Sequence, residues 1–189
     1  QELAFREGGA HAVRRLEGWL KLLEQLKAQP VPAQLDAVND FWNTEILASL
    51  DSRIWKKDDY WATPLQTLIK GAGDCEDFVI GKYFSLRRLG VPMEKMRLIY
   101  VRARRSVSKP GSDIAHMVLG IYETPYSDPL ILDNLIDTIR NASSRRDLTP
   151  VFSFDAESIY VGGKASSKST HINRWQDLLV RMRNEGFDV

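Results

Sequence analysis

Apolar residues recur every three or four positions through the first half of this chain, and every second position from Arg97 onward. That change of period constrains the fold most, because the two spacings belong to an amphipathic helix and to a half-buried strand. Val13 to Ala28 carries Leu16, Trp19, Leu20, Leu23 and Leu26 at helical spacing and stops before Pro30 and Pro32. Ala33 to Leu47 carries Leu35, Val38, Trp42 and Ile46 in the same way, so the two segments predict an antiparallel helical pair. Trp19, Phe41, Trp42 and Trp55 lie on or near these stripes and read as core. A loop through Asp58 to Trp61 leads to a short helix from Pro64 to Lys70, with proline in its first turn. Strands are predicted at Arg97–Ala103, Ala115–Tyr122, Leu130–Leu132, Val151–Phe154 and Ser158–Val161. A last helix from Ile172 to Asn184 would bury Trp175, Leu178, Leu179 and Met182 and end at Gly186. Helices first and strands later indicate an α+β fold with an antiparallel sheet, and 189 residues without an internal repeat form one domain.

One cysteine interrupts the structural pattern. Cys75 sits in Gly71-Ala72-Gly73-Asp74-Cys75-Glu76-Asp77-Phe78, where a glycine-rich loop turns into a helix. Asp74 is a suitable N-cap with Asp77 three residues on, Val79, Tyr83 and Leu86 follow at helical spacing, and Gly90 with Pro92 supplies the stop. Cys75 is therefore the first helical residue, where unpaired N–H groups and the positive end of the helix dipole favour a thiolate. A buried, inert cysteine at a helix start is the plain alternative.

A cysteine nucleophile needs an imidazole to exchange its proton and a third group to orient the ring. Of three histidines, His11 and His171 fall at helix ends and read as caps or surface residues. His116 lies in the strand Ala115–Tyr122, on the face of Val118, Gly120 and Tyr122 and opposite Met117, Leu119 and Ile121. Seventeen residues on, Leu130-Ile131-Leu132 ends in Asp133, and adjacent antiparallel strands would bring Asp133 to His116. Taken singly, His116 reads as a hydrogen-bonded core residue and Asp133 as a turn acid; with Cys75 they read as a triad.

The order Cys, His, Asp, the segment Gly-Asp-Cys-Glu-Asp-Phe, the preceding Asp59-Tyr60-Trp61-Ala62-Thr63-Pro64 and the following Lys82-Tyr83-Phe84 with Leu89-Gly90 resemble the bacterial transglutaminase-like cysteine proteinases. The similarity is densest from Asp59 to Gly90, continues from Ala115 to Asn134 and fades at both ends. The resemblance implies a papain-like, transglutaminase-like fold, with the nucleophile helix packed on the sheet that carries the other two residues. It implies catalytic Cys75, His116 and Asp133, and a calcium ion held by Asp74, Glu76 and Asp77 with loop carbonyls near Gly71 to Gly73. It further implies a periplasmic endopeptidase that cuts the amino-terminal region of a very large biofilm adhesin near a pair of alanines. Its controlling partner would be the periplasmic domain of an inner-membrane receptor that senses cyclic di-GMP. The loops around Trp61 and Gly73 are the expected contacts with that receptor, and Tyr60 and Trp61 are candidates for a second oxyanion donor.

Composition fits these expectations without requiring them. A net charge of +1, from 26 basic and 25 acidic residues, makes no electrostatic case for nucleic acid or an anionic membrane. Arg102-Ala103-Arg104-Arg105 and Arg145-Arg146 read as solvated loop residues. No apolar run is long enough to span a membrane, and the chain starts at Gln1, so an export signal is expected upstream. Two other chemistries share these residues: acyl transfer to an amine by the same triad, and calcium-dependent binding without catalysis. A redox sensor lacks its resolving cysteine.

Overall fold

A computed structural model describes residues 1–104 and 112–189, and His171 by its backbone alone. Helix α1 spans Glu2–Leu26, beginning well before Val13 and kinked at Gly9, whose φ of 65° takes it out of helical conformation. The early turns carry only Leu3 and Ala4 as apolar anchors, which is why periodicity alone missed them. Helix α2 covers Val31–Glu45 with Pro32 in its first turn. The two helices touch each other lightly; α1 lies mainly along α4 (Pro64–Lys70) and α2 along α5 (Cys75–Arg88). Two-residue strands β1 (Leu47–Ala48) and β2 (Ala72–Gly73) pair in parallel, and a one-turn helix α3 (Asp51–Ile54) follows β1. None of these three short elements has enough residues to show a period.

Helix α4 starts and stops by local rules. Thr63 Oγ1 accepts from the Gln66 N–H at 3.2 Å while Gln66 Oε1 accepts from the Thr63 N–H at 3.0 Å, and Gly71 ends the helix at φ 64°.

The larger sheet has seven strands in the order β6-β5-β4-β3-β7-β8-β9, all antiparallel. They are β3 Met96–Arg104, β4 Asp113–Ile121, β5 Leu130–Leu132, β6 Arg140–Asn141, β7 Leu148–Phe154, β8 Ser158–Val161 and β9 Lys164–Lys168. Arg102 and Arg104 therefore belong to a strand, although both are exposed, and Arg105 lies outside the described residues. Strands β6 and β9 are short or polar throughout, so alternation does not reveal them. Helix α6, Asn173–Asn184, buries Trp175, Leu178 and Met182; Leu179 is half-buried.

The sheet's inner face joins the helices in the main core through Met96, Leu98, Met117, Leu119 and Leu132. Ile99, Val101, Val118 and Ile131 form a second cluster on the outer face. Helix α5 runs through the main core, and every residue from Asp77 to Leu86 is buried. Gly81 lets the Trp42 ring come close: a Cβ there would lie 2.5 Å from it. One turn on, Ser85 Oγ accepts both the Trp19 and Trp42 indole N–H groups, at 2.8 and 3.0 Å, and donates to the Gly81 carbonyl at 2.7 Å. Buried donors are thereby satisfied where α1, α2 and α5 meet. No helix among the described residues is long and apolar enough to cross a membrane.

Candidate active site

Cys75 is the first residue of α5, as its sequence setting predicts, and Asp74 is the extended N-cap residue, whose N–H reaches Asp77 Oδ2 at 3.4 Å. The second oxygen of Asp77 accepts the Ala62 N–H at 2.8 Å, tying the Trp61-Ala62 stretch to the helix start. The half-buried Cys75 thiol donates to Glu76 Oε2 at 2.9 Å.

His116 and Asp133 meet for a topological reason. Strand β5 pairs with β4 only from Leu119 to Ile121, with Leu132 opposite Leu119. Asp133 therefore leaves the sheet diagonally across from His116, and both side chains take the outer face. His116 Nε2 lies 2.7 Å from Asp133 Oδ1. Asn43 of α2 holds the same corner by donating to the Asp133 carbonyl at 2.8 Å. Beyond Leu119, among the described residues, the β5 side of β4 carries no strand, and at that open edge the Met117 N–H points to the Cys75 sulfur. Cys75, on the inner side, thus shares one cleft of about 810 Å³ with His116. Since Nε2 is engaged by Asp133, proton exchange with a substrate falls to Nδ1.

Asp133 has a second partner, a guanidinium. Arg145, which the sequence placed in a solvated loop, is 3% exposed, and its Nη2 donates to Asp133 Oδ2 at 2.7 Å. Nε and Nη2 also reach Asp147, at 2.9 and 2.7 Å. The Arg-Arg pair gave no sign of this, because only the fold brings Arg145 behind the carboxylate; Arg146 is exposed. Burial pushes the Asp133 carboxyl up, but hydrogen bonding and charge from His116, the Leu135 N–H and Arg145 outweigh it and hold the group at about 2.

Carboxylates crowd the other side of the cleft. Oxygens of Asp51, Asp74 and Asp77 lie within 4.8 Å of one another. Burial, reinforced by Glu76 and Asp77, pushes Asp74 up to about 10; burial likewise raises Asp77 and Asp51. Burial and then Glu76 push the Cys75 thiol up as well. Asp51 Oδ1 and Asp74 Oδ1 are buried without a hydrogen-bond partner. Unsatisfied hard oxygens converging this way fit a hard dication such as calcium. The group contains Asp74 and Asp77, and its third member is Asp51, supplied by α3, while Glu76 is turned to the thiol. Sequence reasoning missed Asp51, whose only signal was an acid after Leu50. The Gly71 and Gly73 carbonyls accept from the Leu47 and Ser49 N–H groups in the small parallel ladder.

Within the two loops expected to meet a receptor, Trp61 is 3% exposed and stacks on Phe154 and Gly73 is buried, while Lys56, Lys57, Asp58 and Asp59 are exposed. The Tyr60 hydroxyl is engaged by Gln66 and Arg181, and neither Tyr60 nor Trp61 lines the cleft as an oxyanion donor would. His11 is exposed, with Nδ1 2.7 Å from Arg14; the side chain of His171 lies outside the description.

A thiol at a buried helix start, facing an imidazole–carboxylate pair carried by an antiparallel sheet, defines a thiol hydrolase of the papain-like, transglutaminase-like class. The chain belongs to the bacterial transglutaminase-like cysteine proteinases (BTLCP), whose family model matches residues 22–146. Among solved structures it is similar to Legionella pneumophila LapG in calcium-bound form, at 40% identity and a TM-score of 0.81, covering 96% of each chain. It is similar also to the EGTA-treated form of that protein, at 39% identity and a TM-score of 0.82, covering 96% of this chain and 94% of that one. No curated protein matches the sequence.

The depressed Asp133 carboxyl makes acid stability a direct readout of the network. Its contribution is fully present above its ordinary value of 3.8 and is lost as pH falls through about 2. Urea unfolding from pH 5 to pH 2 should show the parent losing roughly 2 kcal/mol relative to Asp133→Asn, which has no carboxyl to protonate. Parallel curves for the two proteins would exclude the anchored carboxylate.

Proposed function

We propose that this chain is a calcium-dependent periplasmic cysteine endopeptidase that cuts the amino-terminal region of a large cell-surface adhesin and is restrained by a cyclic di-GMP-sensing membrane receptor. The observation that carries the catalytic part is the His116–Asp133 pair at 2.7 Å in the same cleft as Cys75. The Cys75 sulfur attacks the scissile carbonyl carbon while His116 Nδ1 takes the thiol proton. The resulting oxyanion forms beside the Cys75 N–H, at the first position of α5, where backbone donors have no intrahelical partner. As the C–N bond breaks, His116 returns the proton to the leaving amine; water then attacks the thioester, giving its proton to His116, and releases the acid with the free thiol. Asp133, fixed by Arg145, holds the imidazole in place and stabilises its cationic form.

Bound calcium would supply positive charge beside the nucleophile. Asp51, Asp74 and Asp77 would hold it, and its charge would offset the burial, Glu76 and Asp74 that together push the thiol up. The calcium-bound and EGTA-treated states of the similar Legionella protein support this reading. The cleft rim is apolar and exposed at Leu50, Leu135 and Ile136, which suits a segment with small apolar side chains such as paired alanines. The same rim is where a receptor domain would exclude substrate.

Cys75→Ala, His116→Ala and Asp133→Asn should each lower cleavage of an adhesin amino-terminal fragment by about three to six orders of magnitude, with strongly non-additive losses. Near-normal cleavage by a folded His116→Ala protein would refute the triad.

Chelation should abolish cleavage, calcium should restore it better than magnesium, and Asp51→Ala should reproduce the chelated state while circular dichroism stays native. Full activity in protein shown by metal analysis to be calcium-free would reject the metal but not the protease.

A receptor periplasmic domain should compete with the adhesin fragment in pull-downs. Simultaneous, non-inhibitory binding of both would remove that partner from the proposal.

A further inference from the structure

A cavity of about 390 Å³ opens on the outer face of the sheet, away from the helices, over Ile99, Val101, Val118 and Ile131. Two buried arginines line it, and each has a donor to spare. Arg97 is 5% exposed, with its guanidinium carbon 3.8 Å from the Tyr160 ring centre and 4.4 Å from that of Tyr122. Its Nη2 reaches the Pro125 carbonyl at 3.4 Å, but Nε has no hydrogen-bond partner, and among the described residues no carboxylate pairs with it. Asp155, beside the Tyr160 end, is already committed, accepting from Tyr160 Oη at 2.6 Å and from the Glu157 and Ser158 N–H groups.

The second arginine is Arg145. It is neutralised by Asp133 and Asp147, yet Nη1 is buried without a partner. The two arginines thus differ: Arg97 is a buried cation lacking a counter-ion, which is costly, whereas Arg145 lacks only an acceptor. On β3, Arg97, Ile99 and Val101 follow one another along the cavity floor, so at about 3.3 Å per residue the floor is roughly 13 Å long.

We propose that this cavity binds a medium-chain aliphatic carboxylate. Its carboxylate pairs with Arg97 between Tyr122 and Tyr160, its chain covers Ile99, Val118 and Ile131, and an oxygen at the far end meets Arg145 Nη1. The charge, the apolar floor and the second donor each select one part of that ligand. The site goes beyond the peptidase reading and stands on different residues from the cleft, apart from Arg145.

Calorimetry of the intact protein with 10-hydroxydecanoate, kept below its aggregation concentration, tests the site without any peptidase activity. One saturable site is expected, with decan-1-ol and acetate each binding at least about tenfold more weakly for want of the charge or the chain. Arg97→Gln should weaken binding at least about tenfold, and Ala142→Phe, which fills the cavity from its wall, should do the same with the thermal transition preserved. Absence of saturable binding to the folded parent, or equal affinity in the parent and Arg97→Gln, would overturn the proposal and leave the catalytic assignment untouched.

Discussion

The start of α5 is held among like charges that it would not tolerate in isolation, and the surrounding structure exists largely to hold it there. Burial of the helix from Asp77 to Leu86 places Cys75 where the core ends and the cleft begins. The main chain supplies part of the compensation: Ala62 N–H meets Asp77 and Tyr60 N–H meets Asp51. Those contacts leave Asp51 Oδ1 and Asp74 Oδ1 unsatisfied, so the arrangement is incomplete as protein alone. A free thiol in this setting is driven toward its protonated form, and positive charge is what the chemistry needs.

The opposite wall answers the inverse problem. Asp133 must stay ionised while buried, and it does so with the His116 imidazole hydrogen-bonded at one oxygen and the Arg145 guanidinium at the other. The geometry depends on strand lengths. Because β5 stops at Leu132 while β4 runs on to Asp113, the sheet has an open edge where an inner-face sulfur and an outer-face imidazole can approach each other. A longer β5 would pair that edge and close the cleft. Lys82, wholly buried on α5 within electrostatic reach of Asp133, has its charge disfavoured by burial, which lowers its pKa to about 7.

Much of this is legible in the amino-acid sequence. The change of hydrophobic period carried the α+β class, and the capping signals around Asp74 and Asp77 placed Cys75 at the first helical position. Alternation along Ala115–Tyr122 assigned His116 to its face correctly, since Val118 and Tyr122 belong to the outer cluster and Met117 and Leu119 to the inner core. What escaped has a common cause. Asp51 and Arg145 act through contacts across the fold with residues remote in sequence, and local pattern holds no record of such contacts. Arg145 even resembled a surface run, because a short basic pair looks the same whether or not an acid waits behind it. The burial of Trp61 was hidden likewise, since its partner Phe154 lies on β7, remote in sequence.

The three clustered aspartates come from two stretches of chain: Asp51 follows the strand paired with Ala72-Gly73, and Asp74 and Asp77 lie at the start of α5. An ion there would act as a rivet between the α5 start and the Ser49–Tyr60 stretch, which otherwise hangs on the short ladder and a few side-chain contacts, among them Asp59 with Arg174 at 2.9 Å and the Tyr60 ring against Arg181. Without that rivet the main core would keep its packing, and the cost would fall on one local segment. A segment that frayed in this way would become an unfolded peptide lying beside a peptidase cleft. The same ion would then decide whether this stretch serves as a wall of the enzyme or becomes exposed to digestion.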